Sequence, residues 1–377
     1  MTPVFEQISR LRGGKAVCAD RRNRNPYCVI SCETDGSRTA YCFGTPVYHM
    51  QSRRFLDMTF EAHEDLLTAY GSHSRITLDG NAHIEGPGGW CELSLPDSKP
   101  CLSEDGTVRY GEDCVFAAAN GIAVRAVCQA GEARTWRLRV SRSFLHVHAN
   151  DRCFALMADT YQPFVTFSAI YAQDENGQVI APMTLDYHKI SDWEYDITAR
   201  CGSPHVRFLF FEVNLYVPKL FADTTVESRN PDTNNAYGGS AFLGITADYG
   251  EQWLYTRLDL SKLSEFLDRS IIQVQLHIPA YCNRNATLRA YRITRRFCSF
   301  GSNWNNKIPA AASYADTKAR GEYQTLDLTA LITDPVTRLF RISDGFILKK
   351  QGKEGGFTAI ATGDSYMTPW ILEIRFR

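Results

Sequence analysis

The chain has 377 residues and a formal net charge of −1, with 44% apolar and 22% charged residues. This balance is typical of a folded globular protein and excludes a disordered one. Because the net charge is close to zero, we expect no strongly electropositive surface and no nucleic-acid partner. The length indicates two domains, since single hydrophobic cores rarely grow beyond about 250 residues.

The N-terminal half has the composition and the turn signals of a β-protein. The whole chain contains 21 Phe, 18 Tyr and 6 Trp but only 6 Met, which favours sheets over helices. Short alternating runs separated by Gly, Asn and Asp fill residues 1–217, and SRITLDGNAHIEG (74–86) carries the hairpin signal Asp79-Gly80. Strands at this spacing predict a β-sandwich. One helix is predicted in this half, over residues 60–71.

A second β-rich series begins at residue 218. In QWLYTRLDL (252–260), alternation places Trp253, Tyr255 and Arg257 on one face of a strand. The segment SKLSEFLDRS then predicts a short helix with Ser261 as its N-cap.

The predicted fold class is all-β. No predicted helix is long enough to connect parallel strands, so the sheets should be antiparallel. We expect two antiparallel β-sandwich domains of jelly-roll type, over residues 1–217 and 218–377, with few short helices.

The N-terminal residues bear on where the protein acts. The opening sequence MTPVFEQISRLRGGK lacks the apolar core of a signal peptide, and no long apolar run follows. We therefore expect synthesis in the cytoplasm without a signal peptide and no membrane insertion. The final location is left open, and a virion or a cell surface reached by non-classical release are two possibilities. The basic run DRRNRNP (20–26) is interpreted as a solvated turn.

Ten of the twelve cysteines lie at or before Cys201. Four of them, Cys18, Cys28, Cys32 and Cys42, have the spacing C-x9-C-x3-C-x9-C, whereas zinc sites usually contain tight C-x2-C pairs. The spacing favours small buried apolar side chains on strands. A zinc site and a disulfide pair are the alternatives.

Several segments of the second half carry a family resemblance. In chain order they are an opening strand at Asp223, a loop with Asn230, Pro231, Asn234 and Gly238-Gly239, a strand with Arg257, Asp259 and Leu260, a turn over Trp304 to Pro309, a segment from Asp327 to Ile332 and a strand from Gly345 to Lys349. Together they resemble the DNRLRE-domain family of jelly-roll modules, which is related to alginate-type carbohydrate-binding modules. The resemblance covers residues 218–377 and implies a non-catalytic β-sandwich of cell-surface and polysaccharide-associated proteins. Residues 1–217 resemble no family that we can name.

The loop of the second half raises the question of a metal. Asn230, Asp232 and Asn234 alternate as the oxygen ligands of a calcium loop do. An EF-hand would require Gly and Glu where Asn235 and Ala241 stand, so that motif is absent. Local turns formed by the Asn and Asp side chains are favoured, and a structural calcium is the alternative. No other cofactor is expected.

Motifs for catalysis are not found. His146 and His148 place two imidazoles on one strand face, but Arg152 and Cys153 stand where a metal site of this kind would need Glu. There is no nucleophile elbow, phosphate-binding loop or zinc-protease motif. We therefore expect no enzyme, although a carboxylate pair from distant strands is an alternative that sequence does not exclude.

Aromatic and polar side chains provide the remaining ligand chemistry. Sugars present apolar faces that pack on aromatic rings, and their hydroxyls bond to polar side chains. The candidate ligand-binding residues are Tyr237, Trp253, Tyr255, Arg257, Trp304 and Asn305. Core or loop packing is the alternative for each ring.

These features lead to three functional hypotheses. The first is a non-catalytic protein that binds a polysaccharide or attaches to a surface. The alternative is a self-assembling structural subunit of a phage virion, fibre or surface appendage, whose partner would be another copy of the chain. The third is an enzyme whose site is hidden within residues 1–217.

Overall fold

A computed structural model describes residues 3–20, 25–49, 54–63, 66–340, 344–352 and 356–377. About half of the chain lies in strands and about 5% in helices. The predicted all-β fold class is therefore confirmed. Within the described ranges, no helix is both long and apolar enough to cross a membrane. Most of the basic run interpreted as a turn, residues 21–24, lies outside the described residues.

The strands of the first half have the following bounds. They are β1 Cys28–Cys32, β2 Arg38–Phe43, β3 Tyr48–His49, β4 Arg54–Phe55, β5 Glu61–His63, β6 Leu66–Tyr70, β7 Arg75–Leu78, β8 Asn81–Gly86, β9 Gly89–Ser94, β10 Cys101–Leu102, β11 Val108–Tyr110, β12 Asp113–Ala117, β13 Gly121–Val127, β14 Ala133–Val140, β15 His146–Asn150, β16 Cys153–Met157, β17 Pro163–Gln173, β18 Val179–Ala181, β19 Thr184–Lys189, β20 Glu194–Arg200 and β21 Phe208–Leu215.

The second half continues with eleven strands in the described residues. They are β22 Phe221–Glu227, β23 Ser240–Thr246, β24 Gly250–Leu258, β25 Ile271–Pro279, β26 Leu288–Arg292, β27 Ser313–Asp316, β28 Lys318–Arg320, β29 Tyr323–Asp327, β30 Phe346–Lys350, β31 Phe357–Ala361 and β32 Ile371–Phe376. Pairing is antiparallel in these sheets, as predicted.

Two large sheets form a sandwich in the first half. One has the order β10-β11-β12-β13-β21-β17-β16-β15, with β18 paired to β17, and the other has the order β19-β20-β14-β9-β8-β7-β6-β5. Their facing sides share one hydrophobic core that includes Trp136, Phe167 and Phe211. Alternation along the strands directs one set of side chains into this core and the other set outward.

Two further sheets enclose a second core. Their orders are β1-β2-β32-β25-β29-β28 and β27-β26-β30-β24-β23-β31, with β22 paired to β24. Leu254 and Trp370 lie in the core between them. Strands β1 and β2 come from the start of the chain, and β2 pairs with β32 along its whole length. This sheet therefore spans the predicted boundary at residue 217, and the division into two domains stays a prediction.

Three helices are present in the described residues: α1 Pro3–Leu11, a 3₁₀ helix Leu260–Phe266 and α2 Thr329–Ile332. The sequence analysis does not predict α1. Its apolar Val4, Ile8 and Leu11 follow helical spacing and pack with side chains of β1 and β2. Packing against the sheet stabilises this short helix, which would be marginal in isolation.

The two predicted helices have different outcomes. The helix predicted over residues 60–71 is wrong, because β5 and β6 occupy the described part of this segment and residues 64–65 lie outside it. Pairing with β7 places Ala69 opposite Ile76 in the core, which outweighs helix propensity. The helix near Ser261 is present as a short 3₁₀ helix. Its N-cap is Asp259, whose Oδ1 accepts a hydrogen bond from the Ser261 backbone N at 3.1 Å.

The favoured interpretation of the four-cysteine cluster as buried side chains is wrong for Cys18 and Cys32, which are exposed thiols, and the disulfide alternative holds for the other two. Cys28 and Cys42 lie directly opposite each other on β1 and β2 and form a disulfide. Cys91, Cys114, Cys128, Cys153 and Cys201 are buried thiols. In the part of the chain that the structure describes, no group of three or more His, Cys, Asp or Glu side chains could hold a metal ion.

Buried acids join the first sandwich to the C-terminal sheets. Glu227 of β22 forms an ion pair with Arg152, in which Oε2 lies 2.7 Å from Nη2, and both side chains are at most 2% exposed. The Arg152 guanidinium carbon lies 4.1 Å from the ring centroid of Tyr249. Glu212 of β21 accepts a hydrogen bond from the Tyr366 backbone N at 2.9 Å. These contacts fix the position of β22 and of the segment before β32.

Candidate functional site

A cavity of about 680 Å³ opens beside β22. Strand β22 pairs with β24 along one edge, and its other edge forms a bridge between Thr225 and Asn235. Phe221, Ala222 and Asp223 at the start of the strand line the cavity. Side chains from both halves of the chain complete the lining, so the cavity lies where the first sandwich meets the C-terminal sheets.

Residues from both faces of the sheet line the cavity at this edge. Ala222 pairs with Arg257, and Asp223 pairs with Thr256. Because neighbouring residues on a strand point to opposite faces, Arg257 and Asp223 project from opposite faces of the sheet. The Asp223 face is the one that carries Phe221 into the core between the sheets. We call the Asp223 side the inner wall and the Arg257 side the outer wall.

A buried ion pair forms the inner wall. Lys219 pairs with Asp364, and both side chains are buried. The Lys219 ammonium lies 4.9 Å from the ring centroid of Tyr366 and 5.9 Å from that of Tyr216. Burial lowers the pKa of Lys219, but the charge of Asp364 more than offsets this and the pKa is raised. Lys219 therefore stays protonated, and the charge of Asp364 opposes its own.

Asp223 lies next to this ion pair and is only 4% exposed. Its carboxyl group lies beside the Gly363 backbone N and the Asp364 carboxyl group, although its Oδ2 makes no well-aligned hydrogen bond in the described residues. Burial and then the charge of Asp364 raise the pKa of Asp223 well above its ordinary value. A Cβ atom at Gly363 would lie 2.5 Å from this Oδ2, so the glycine leaves room for the carboxyl group. Asp223 thus keeps its proton over a wider pH range than an exposed aspartate.

Two arginines dominate the outer wall. Arg257 is half-buried and its Nε has no hydrogen-bond partner among the described residues, while Arg296 beside it is exposed. Burial and then the charge of Arg296 lower the pKa of Arg257. Asp259 also faces this wall, but its Oδ1 accepts two hydrogen bonds from Ser261, at 3.1 and 2.7 Å. Positive charges that are only partly offset in a concave site attract anions.

Aromatic rings form the rim of the cavity. Tyr161 is 66% exposed, and its backbone O accepts a hydrogen bond from the Tyr237 hydroxyl at 2.8 Å. The ring centroid of Phe300 lies 5.1 Å from that of Tyr237 and 5.6 Å from that of Tyr161. The rim therefore offers ring surface in the same cavity as the arginines, which suits a ligand with both apolar faces and a negative charge.

The structure separates the predicted ligand residues. Tyr237 and Arg257 both line the cavity. Trp253 and Trp304 pack against each other elsewhere on the outer face, with ring centroids 5.0 Å apart. Tyr255 is fully buried and its hydroxyl donates to the Ile308 backbone O. Its ring has no exposed face on which a sugar could stack, so core packing accounts for it.

Asn305 and two of the three predicted metal ligands connect two loops. Asn305 Nδ2 donates to Asp232 Oδ1 at 2.7 Å. Asn234 Nδ2 donates to two backbone carbonyl groups of the segment 299–302, at 2.6 and 3.0 Å. Asn230 Nδ2 donates instead to a carboxylate of β22, at 3.0 Å. Asp232, Asn234 and Asn305 thus hold loops 228–239 and 299–306 together through long-range contacts, which the sequence analysis does not predict. The predicted local turn is present at Asn234, whose Oδ1 accepts a hydrogen bond from the Ala236 backbone N at 3.2 Å. The structural calcium stays a prediction.

Sequence reasoning missed most of the cavity lining. Lys219, Asp364, Arg296 and Tyr161 come from four distant segments, and none of them forms a local motif. The adjacent basic residues Arg295 and Arg296 are a local signal that the sequence does provide for this wall. The others come from segments before β22, before β32 and between β16 and β17, and only the tertiary fold brings them together.

Comparison with models of known protein families finds no match, and no curated protein matches the sequence. The resemblance to the DNRLRE-domain family therefore stays a prediction. Any functional interpretation rests on the geometry of the cavity and of the outer face.

Proposed function

We propose that the protein binds an acidic polysaccharide at the cavity beside β22 and does not chemically change it. The observation that carries this proposal is the outer wall, where Arg257 and Arg296 have no carboxylate ion-pair partner within the described residues. The planar guanidinium group matches a carboxylate in geometry and charge. A uronic acid would present such a carboxylate, and the Tyr161 rim would pack on the apolar face of its ring.

The acids of the cavity support binding rather than hydrolysis. Hydrolysis of a glycosidic bond usually needs two carboxyl groups that flank the bond. Asp364 is paired with Lys219, and Asp223 lies on the opposite face of the sheet from Arg257. Asp259, on the outer wall, already accepts two hydrogen bonds. No such flanking pair is therefore available beside the arginines in the described residues, which favours a binding module.

The proposal is tested by electrophoresis in gels that contain polygalacturonate, with dextran gels as the neutral reference. The wild-type protein should be retarded by polygalacturonate alone, and the double variant Arg257→Ala/Arg296→Ala should migrate freely. Arg137→Ala is the matched control, because Arg137 is exposed on the first sandwich and pairs with Asp196. It should be retarded like the wild type. Equal migration of all three proteins in polygalacturonate would contradict the proposal.

Self-assembly is the second candidate function, and one feature favours it. Strand β19 lies at the end of its sheet, and Tyr187, Ile190 and Trp193 of the β19–β20 hairpin are 40–49% exposed. Exposed apolar side chains on an edge strand promote pairing with another chain. Light scattering over a concentration series should then reveal an oligomer that Trp193→Asp dissociates. A monomer at every concentration would argue against assembly.

A further inference from the structure

A second cationic cluster lies on the outer face of β24 and β30. It consists of Trp253, Trp304, Tyr291, Lys307 and Lys349, and we call it the lysine cradle. The Lys349 ammonium lies 3.2 Å from the ring centroid of Trp253 and 5.1 Å from that of Tyr291. The Lys307 ammonium lies 4.1 Å from the ring centroid of Trp304 and 5.6 Å from that of Trp253. Both ammonium groups thus contact the Trp253 ring, and Lys307 also contacts the Trp304 ring.

The cradle holds two like charges together. Neither lysine forms an ion pair with a carboxylate in the described residues, and Lys307 Nζ donates to the Trp304 backbone O at 3.0 Å. Burial lowers the pKa of Lys349, and the charge of Lys307 acts in the same direction. The charge of Glu251 partly offsets this lowering of the Lys349 pKa. The Glu251 carboxylate also accepts a hydrogen bond from Trp253 Nε1 at 2.8 Å. Repulsion between two half-buried cations is relieved when an anion binds between them.

The geometry of the cradle points to recognition of charge. The two indole rings are inclined at 56° to each other, and each has an ammonium group over it. Nucleic-acid bases bind single-strand sites by stacking on open ring faces, and here the lysines cover those faces. A carboxylate group of a sugar can instead reach the ammonium groups directly.

The cradle shares a strand face with the outer wall of the cavity. Trp253, Tyr255 and Arg257 alternate along β24, so Trp253 and Arg257 point the same way. Four residues of an extended strand place them about 13 Å apart. The buried Tyr255 between them is covered by Phe297. One molecule that reaches both ends of β24 would have to be an extended chain with repeated negative charges.

We infer that the lysine cradle is a second anion-binding subsite, and that the ligand is a polyuronate chain long enough to occupy the cradle and the arginine wall together. This inference rests on the proposed function, which supplies the first subsite. Two linked contacts raise affinity through effective concentration, since binding at one site holds the chain near the other. Long chains should therefore bind more tightly than short ones.

The inference is tested by calorimetric titration with galacturonate oligomers of two and eight units. For the wild-type protein the octamer should bind at least about tenfold more tightly than the dimer, as expected for a linked second contact. Lys307→Ala/Lys349→Ala should lose that advantage and keep its affinity for the dimer. Lys318→Ala, on the exposed strand β28, is the matched control and should behave like the wild type. An unchanged octamer advantage in the double variant would overturn the inference.

Failure of the cradle and failure of the proposed function give different results. If neither oligomer binds to the wild type, the proposed function fails and the polyuronate inference fails with it. Tryptophan fluorescence during titration with sodium sulfate then tests the cradle as an anion site alone. A change that the double lysine variant abolishes supports an anion site, and no change refutes it. Single-stranded DNA that binds as tightly as the octamer would overturn the uronate as the ligand class.

Discussion

Arg152 and Arg257 lie at opposite faces of the same strand pair, β22–β24, and they differ in their charged contacts. Arg152 is buried, forms an ion pair with Glu227 and donates to Thr225 Oγ1 at 3.1 Å. Arg257 lines an open cavity, and its side chain forms no hydrogen bond or ion pair in the described part of the chain. The buried Nε lacks a partner in both arginines, so the difference lies in the outer guanidinium nitrogens. The same residue type thus stabilises the fold on one face of the strand pair and lines a cavity on the other. Both arginines lie against the same two strands. Arg152 donates to a buried carboxylate and stabilises the fold, whereas Arg257 has no carboxylate partner in the described residues and can donate to a ligand.

The largest effect should follow the loss of the buried pair. Arg152→Ala leaves Glu227 buried without its cation, which typically costs about 3–5 kcal/mol of unfolding free energy. Urea unfolding measures this loss directly. Arg137→Ala is the control, because its pair with Asp196 is exposed and should contribute little. Equal stability of the two variants would show that the Arg152 pair does not hold the junction together.

A smaller effect is expected at the two interlocked loops. Asn234→Ala removes two hydrogen bonds to the segment 299–302 and leaves its carbonyl groups without this donor. The expected loss is about 1–3 kcal/mol, measured by urea unfolding. Asn305→Ala removes an exposed bond to Asp232 and should cost less. If the order of the two losses is reversed, Asn234 is not the residue that joins the loops.

The pH dependence of stability tests the buried Asp223. Its pKa is raised in the folded state by burial and by the charge of Asp364. As pH rises above about 4, the Asp223 carboxyl group loses its proton in the unfolded chain before it does so in the folded protein. The free energy of unfolding therefore falls with pH until the raised pKa of the folded state is passed. Asp223→Asn should therefore lose less stability than the wild type between pH 4 and pH 7. Parallel curves from chemical unfolding at each pH would contradict this.

The smallest change in stability is expected at Arg257. Burial and the charge of Arg296 already lower its pKa, so removal of its charge relieves repulsion as well as removing packing. Arg257→Ala should leave the unfolding free energy within about 0.5 kcal/mol of wild type, as is usual for substitutions outside the core. The retardation of this variant in polygalacturonate gels should nonetheless be weaker than that of the wild type. A large loss of stability would make Arg257 a structural residue like Arg152.

Local sequence signals predicted the strands well and the helices less well. The Asp79-Gly80 turn connects β7 and β8 as expected, because turn chemistry acts over a few residues. The helix predicted over 60–71 was wrong because pairing with β7 decides that segment. The α1 helix was missed although Val4 and Ile8 have helical spacing. In both cases packing against a distant sheet determines the local structure.

The candidate site was only partly predictable for the same reason. Tyr237 and Arg257 were identified from local context, and the cavity contains both. Tyr255 was offered as a ligand residue, but alternation along a strand does not reveal that Phe297 covers that face. The inner wall could not be foreseen, because Lys219 and Asp364 are 145 residues apart in the chain.

A crystal structure with a bound galacturonate oligosaccharide would test the central claim most directly. The account predicts a sugar carboxylate within about 3 Å of the guanidinium groups of Arg257 and Arg296, with the sugar ring against Tyr161. An oligosaccharide bound elsewhere, or a cavity that stays empty at saturating ligand, would contradict it.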